Sequence, residues 1–163
     1  MVVVLFAVAG FGPSPDKVFA EVSSSTMQRP GQAPRQLELQ PREQALRDAV
    51  NAERRRNGLA RLGIDPRLER NARAHTVDMI RFGYFGHEWH DGRSFRTWIA
   101  PRTTCDTTGE ILAWSSPRQT PDHAVRQWLD SPSHRALLLA ESWTVMGVEL
   151  THRHAAVQFG RRC

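Results

Sequence analysis

The chain has 163 residues, 40% of them apolar, 24% charged and 8% aromatic, with 11 Gly, 10 Pro and 2 Cys. Such a length and apolar content suit one globular domain with a tail, and exclude both a large multidomain enzyme and a wholly disordered chain. The formal charge of +5 rests on 22 basic residues, all Arg except Lys17, and the one tight basic run, Arg54-Arg55-Arg56, falls at a helix end where cations complement the dipole; no nucleic-acid surface is read from it.

Taken in chain order, Val2 to Gly12 form an apolar stretch too short to span a bilayer and stopped by Pro13. It reads as the apolar region of a signal peptide, although no Lys or Arg precedes it, with a cleavage site after Val18-Phe19-Ala20. Removing residues 1–20 takes out Asp16 and Lys17 together, leaves the charge at +5, and leaves no segment able to cross a membrane. Residues 21–41 are polar and broken by Pro30, Pro34 and Pro41, the composition of a disordered linker, so the folded domain is expected over 42–163.

From Arg42, the spacing of Ala45, Leu46, Ala49 and Val50 predicts a first helix closed at Gly58. Asp65-Pro66 is an N-cap followed by proline at the first helical position, and Leu68, Ala72, His75 and Met79 form one stripe of a second helix ending at Gly83. A loop follows from Tyr84 to the Asp91-Gly92 turn, then a short helix with Phe95, Trp98 and Ile99 stopped by Pro101. Cys105 to Gly109 reads as loop leading into Glu110-Ile-Leu-Ala-Trp114. Thr120-Pro121 and Ser131-Pro132 repeat the cap-then-proline signal and open two more helices, one burying Ala124, Val125, Trp128 and Leu129, the other Leu137 and Leu138. Trp143 to Leu150 and Ala155 to Phe159 are rich in strand formers, with Thr151 to His154 as a hairpin loop. Helices lead, strands close, and no internal repeat is present.

Two cysteines allow one pairing. In an exported chain a Cys105–Cys163 bridge closes 59 residues and stabilises by about 4 kcal/mol on the chain-entropy view; in a reducing compartment both stay thiols.

Chemistry rests on the histidines. His87 in the loop after the second helix, Glu110 after a glycine, and His134 in the first turn of a late helix make two imidazoles and a carboxylate, a set that zinc accepts while leaving a position for water. His134 lies three residues beyond Ser131, where the helix dipole keeps the ring neutral and ligating. His87-Glu88-Trp89-His90 does not make a zinc-protease helix, because its histidines are three apart in a loop; Glu88 and His90 are expected in solvent. His75 reads as a buried imidazole satisfied by one hydrogen bond, His152 and His154 as a solvated turn, and His123 as exposed. Tyr84, Phe85, Trp114 and Trp128 are read as core aromatics that can also line an apolar pocket. No nucleophile turn and no phosphate-binding glycine loop is present.

Five segments taken together carry a resemblance: Val50 to Leu59 with Asp65 to Leu68; Ala74 to Met79; Gly83 to His87 with Asp91-Gly92; Gly109 to Trp114; and Trp128 to Arg135 leading to Met146-Gly147-Val148. In order and type they resemble the bacterial branch of the CAP superfamily, the SCP-like extracellular domains related to cysteine-rich secretory, antigen 5 and plant pathogenesis-related proteins. The resemblance covers about residues 43–160. It implies an α+β fold, a three-layer α-β-α sandwich with a small antiparallel sheet, an exported location, and a cleft in which the first histidine falls on His87, the acid on Glu110 and the second histidine on His134. The second acid of eukaryotic members falls on Ser131, so their four-residue mechanism does not transfer intact. Ile111 and Ser133 also stand where Asn and Gly are typical.

The reading that follows is a secreted, monomeric, non-enzymatic module that recognises an extracellular lipid, envelope polymer or protein. Its cleft holds His87, Glu110, His134 and Ser131 and takes a divalent metal, zinc first. Two rivals stand beside it. One is a metal-assisted hydrolase of peptide or cell-envelope substrates, with Glu110 as ligand or general base. The other is an adhesion module whose Arg-rich face binds anionic polymers.

Overall fold

The structure, a computed structural model, describes residues 39–163. The expected signal peptide and the linker up to residue 38 lie outside the described residues. Pro41, placed at the end of the linker from sequence, is instead the first residue of helix α1 (Pro41–Arg56), a position where its missing N–H costs nothing. Glu43 returns its carboxylate to the Gln40 N–H at 2.9 Å and closes the helix start. Leu46 and Val50 bury one face, as the spacing predicts. Arg54, the first of the basic run at the helix end, is wholly buried and donates to the Leu138 and Ala140 carbonyls at 2.8 and 2.9 Å, so it ties α1 to a later helix.

A two-residue strand β1 (Gly63–Ile64) leads into α2 (Pro66–Phe82). The Asp65 carboxylate accepts from the Arg67 and Leu68 N–H groups, and Gly83 ends the helix at φ 68°, a left-handed conformation that suits glycine. Then come α3 (Phe95–Ile99) with a 3-10 turn over 100–102, β2 (Thr107–Trp114), α4 (Pro121–Asp130), α5 (Pro132–Leu138), β3 (Val145–Leu150) and β4 (His154–Arg161). Strand β2 starts at Thr107, inside the stretch read as loop, because Thr107 to Gly109 pair with Arg161 to Phe159 of β4. Strand β3 starts at Val145, not at Trp143, whose indole N–H donates to the Leu137 carbonyl.

The sheet runs β1-β3-β4-β2, with β3, β4 and β2 antiparallel and β1 added parallel to β3 at Gly63↔Val145. It is therefore mixed: the antiparallel body expected from sequence carries one short parallel edge. Alternation along the strands sends Ile111, Ala113, Val148, Val157 and Phe159 to one face, where they pack with Leu46, Val50, Trp128 and Leu138 of α1, α4 and α5. The opposite face carries Leu112 and Ala156 against Ala72 and Met79 of α2. Helices thus cover both faces, giving the α-β-α sandwich. Gly147 lets α2 lie this close: a Cβ there would fall 2.1 Å from the Leu68 carbonyl carbon.

Cys105 and Cys163 are bridged at a sequence separation of 58, which pins the last residue to the start of β2. No helix among the described residues is long and apolar enough to cross a membrane.

Candidate functional site

Glu110 is placed by β2, where alternation turns it with Leu112 toward α2 while Ile111 enters the opposite core. Only 5% exposed, it lies under the helix stripe that carries His75. Oε2 receives the His75 Nδ1–H at 2.9 Å and the Gln158 amide at 3.0 Å, and Oε1 receives the His87 Nδ1–H at 3.0 Å. Burial alone would push this carboxyl up; the bonds from His75, His87 and Gln158 outweigh it and hold the group below the ordinary carboxylate value. An ionised carboxylate only accepts, so both imidazoles turn Nδ1–H toward it.

That arrangement leaves Nε2 of His87, whose side chain is 49% exposed, as the ring atom free to meet a ligand. The His134 ring lies 6.2 Å away between centroids, tilted by 56°. Burial, with a smaller push from His87, lowers the His134 pKa and keeps its lone pair available. The chemistry of the donors therefore fits a divalent ion as a pair of imidazoles, His87 being oriented by a carboxylate behind it in the manner usual for metal-ligating histidines. Both Glu110 oxygens already accept hydrogen bonds, and among the described residues no three His, Cys, Asp or Glu side chains converge on one ion position.

The structure thus joins His87 to Glu110 and brings His134 alongside, while Ser131 makes no hydrogen bond to any of the three. Ser131 precedes α5 without capping it through its side chain, and its hydroxyl meets that of Ser133 at 3.3 Å. Two members of the Glu110 shell were not singled out from sequence as site residues. His75 is the buried, singly bonded imidazole expected there, but its partner is the site carboxylate. Gln158 sits directly across from Glu110 in the β2–β4 register; the available signal was a lone polar residue inside the apolar run Ala155 to Phe159, where a buried amide demands a partner.

Other histidines depart from expectation. His90 is not simply solvated: its Nδ1 lies 2.6 Å from Asp78 Oδ1 and its ring stacks on Phe82 at 3.7 Å. Glu88 is exposed, as expected. His154 is buried because β4 begins there and not one residue later, whereas His152 stays exposed. His123 is half-buried. Trp128 is a core aromatic donating to the Leu112 carbonyl at 2.9 Å, while Trp114 is 42% exposed.

The model of the cysteine-rich secretory protein family, CAP, matches residues 47–154. The chain belongs to the CAP family. A relative from Bacillus subtilis, the uncharacterized protein YkwD, is 34% identical over 102 residues, which are 62% of this CAP chain and 39% of that protein. Among solved structures, an extracellular protein containing an SCP domain from Bacillus anthracis superposes with a TM-score of 0.66 at 26% identity, covering 77% of this chain and 45% of the other. An outer surface protein from Borrelia burgdorferi gives 0.66 at 25%, covering 74% and 92%. A cysteine-rich secretory protein from Staphylococcus aureus gives 0.63 at 20%, covering 80% and 42%, a likeness of fold. The chain thus spans less than half the length of the Bacillus and Staphylococcus proteins. Within the CAP fold here, Ile111 is a fully buried core residue, so the position where Asn is typical contributes no polar group to the cleft.

Proposed function

We propose that this chain is an exported CAP module that binds a ligand or partner without turning it over, and that its cleft holds a divalent ion, zinc first, between Nε2 of His87 and Nε2 of His134. The observation that carries this reading is the Glu110 carboxylate: three donors fix it, and it in turn fixes the His87 ring. A bound ion supplies a Lewis-acidic point for an oxygen of the ligand. Hydrolysis with Glu110 as general base would place the proton on a carboxyl that its three donors hold below the ordinary value, which makes it a weak base. Export is supported by the apolar stretch Val2 to Gly12, by the disulfide, and by the extracellular and outer-surface proteins the chain resembles.

Thermal unfolding under a zinc titration tests the site. An ion that binds only the folded state adds about 2.7 kcal/mol at a hundredfold excess over Kd. The expected results are a rising Tm for the wild type, no rise for His134→Ala, and zinc affinity about 10–100-fold weaker for Glu110→Gln. A wild-type melting curve unchanged at saturating zinc removes the metal. Cleavage of peptide, ester or peptidoglycan substrates that vanishes in His87→Ala replaces binding by catalysis.

A further inference from the structure

Arg67 and Arg70 lie three apart on α2, on one face and near the end of the helix where the dipole favours anions. Both are exposed, so the sequence sets two like charges side by side where the helix itself repels them. A third cation comes from the chain after α3: Arg102, with Pro101, Thr103 and Thr104, joins them around a hollow of about 310 Å³ whose α2 wall also includes Asn71. That volume is at the small end of ligand sites. No Asp or Glu lines the hollow, and none of the three guanidinium groups makes an ion pair among the described residues. Asp65 turns its carboxylate to the Arg67 and Leu68 N–H groups, and Glu69 is buried.

The cradle is tied together before any ligand arrives. Arg67 donates to the Thr104 hydroxyl at 3.1 Å and the Asn71 amide to the Arg102 carbonyl at 3.4 Å, so the loop is fastened to α2 twice. Arg102 is half-buried; its guanidinium lies 3.6 Å from the centre of the Trp98 ring and donates to the Trp98 carbonyl at 2.8 Å. Thr103 and Thr104 spend their hydroxyl protons on Cys105 Sγ and on the Cys163 carbonyl, at 2.9 and 3.2 Å. What the hollow offers is therefore the remaining N–H groups of three arginines, two of them already held in place. A cation so fixed gives up less freedom on binding than a free side chain.

We propose that this hollow binds a phosphate dianion, free or as a terminal monoester, whose oxygens accept from the Arg67, Arg70 and Arg102 guanidinium groups. A phosphate monoester presents three acceptor oxygens and about −1.5 to −2 charges at pH 7. A carboxylate or a phosphodiester brings one charge and two free oxygens, and balances three guanidinium groups less well. The dianion also relieves the repulsion between Arg67 and Arg70 and meets the positive end of α2. No aromatic residue lines the hollow, so affinity comes from the phosphate and not from what it is attached to. None of the lining residues belongs to the His87/His134 cleft, and the site stands whether or not an ion binds there.

Calorimetry on the full chain at low salt, without added metal, tests the site with inorganic phosphate, methyl phosphate, dimethyl phosphate and acetate. The first two are expected to bind at least about tenfold more tightly than the last two, and to weaken as NaCl rises. Arg70→Gln should weaken methyl phosphate about tenfold. Arg126→Gln, which removes an equal charge from an exposed position on α4, and His87→Ala should leave it unchanged. Arg70 is exposed and unpaired among the described residues, so an unchanged Tm without ligand certifies the fold of its variant. Whichever phosphate binds more tightly identifies the source as the free ion or an esterified terminus, and equal affinity means that the hollow takes both; each of these results supports the site. Failure of both phosphates to bind, equal affinity for all four anions, equal losses in Arg70→Gln and Arg126→Gln, or loss in His87→Ala overturns it.

Discussion

Two glutamates packed around α2 are buried almost completely, and the structure treats them in opposite ways. Glu110, on β2, collects three donors and stays ionised, its carboxyl held below the ordinary value. Glu69, on α2 itself and 1% exposed, leaves Oε2 without a partner and has Glu43 and Glu149 as neighbours; burial first, then the repulsion of those carboxylates, pushes it up to about 7. Equal burial therefore does not fix charge state. Donors turned toward a carboxylate make it a fixed anion that can orient a histidine, whereas burial short of donors, with like charges added, turns it into a group that exchanges a proton near neutrality.

The largest expected effect breaks the first half of that contrast. Glu110→Ala leaves the His75 and Gln158 donors buried and unmatched, and should cost about 3–5 kcal/mol in urea unfolding at pH 7. Glu110→Gln keeps the volume and should cost less, while altering the acid limb. Because the folded pKa lies below the ordinary 4.5, the wild type holds this contribution in full above that value and loses it as pH falls through the lower folded value. The Gln variant should lack that part of the acid decline. An Ala variant as stable as the wild type would mean that the three bonds hold nothing together.

How far such a network can be read from sequence follows from which of its links are local. The α2 span, its Asp65 cap and its Gly83 stop were legible, because each depends on neighbours in the chain, and so was the inward stripe that carries His75. The family motifs located His87, Glu110 and His134. Strand β1 was not legible: two residues have no periodicity, and Gly63–Ile64 exists only through parallel pairing with Val145 and Met146. The same holds for Gln158, which meets Glu110 across 48 residues through the register of β2 on β4. His154 was misplaced by one residue of strand start, enough to move it from solvent to the interior. The Glu43–Glu69–Glu149 cluster has no sequence signature, because its members come from α1, α2 and β3 and follow no motif.

The second half of the contrast is tested by Glu69→Gln. A folded pKa of about 7 lies above the ordinary 4.5, so the folded state favours the protonated form: the contribution is complete below about 4.5 and lost as pH rises through about 7. Every tenfold change in proton affinity between the folded and unfolded chain is worth about 1.4 kcal/mol, so the neutral variant should match the wild type near pH 5 and exceed it by up to about 3 kcal/mol at pH 8. Chemical denaturation at the two pH values reads this directly. A variant less stable than the wild type at pH 8 would show that the ionised Glu69 is matched by a donor after all.

Arg73 gives the smallest effect and the sharpest discrimination between the two sites. It is the cation paired with this cluster, donating to Glu43 Oε1 at 2.7 Å and Glu149 Oε2 at 3.0 Å from a side chain that is half exposed. Solvent screens such a pair, yet its carboxylates are buried, so Arg73→Gln should cost about 1 kcal/mol at pH 8. The cost should shrink near pH 5, because burial and Glu43 raise the Glu149 pKa and Glu69 is then protonated, leaving less negative charge to balance. The same substitution should not alter the response of the Glu110 site to pH or zinc, since none of the donors to that carboxylate is Arg73. A double-mutant cycle between Arg73→Gln and Glu149→Gln isolates the pair. Coupling that is absent at pH 8 would mean that the cation does nothing to hold the Glu149 carboxylate in place, and that the two buried carboxylate sites differ only in their hydrogen-bond donors.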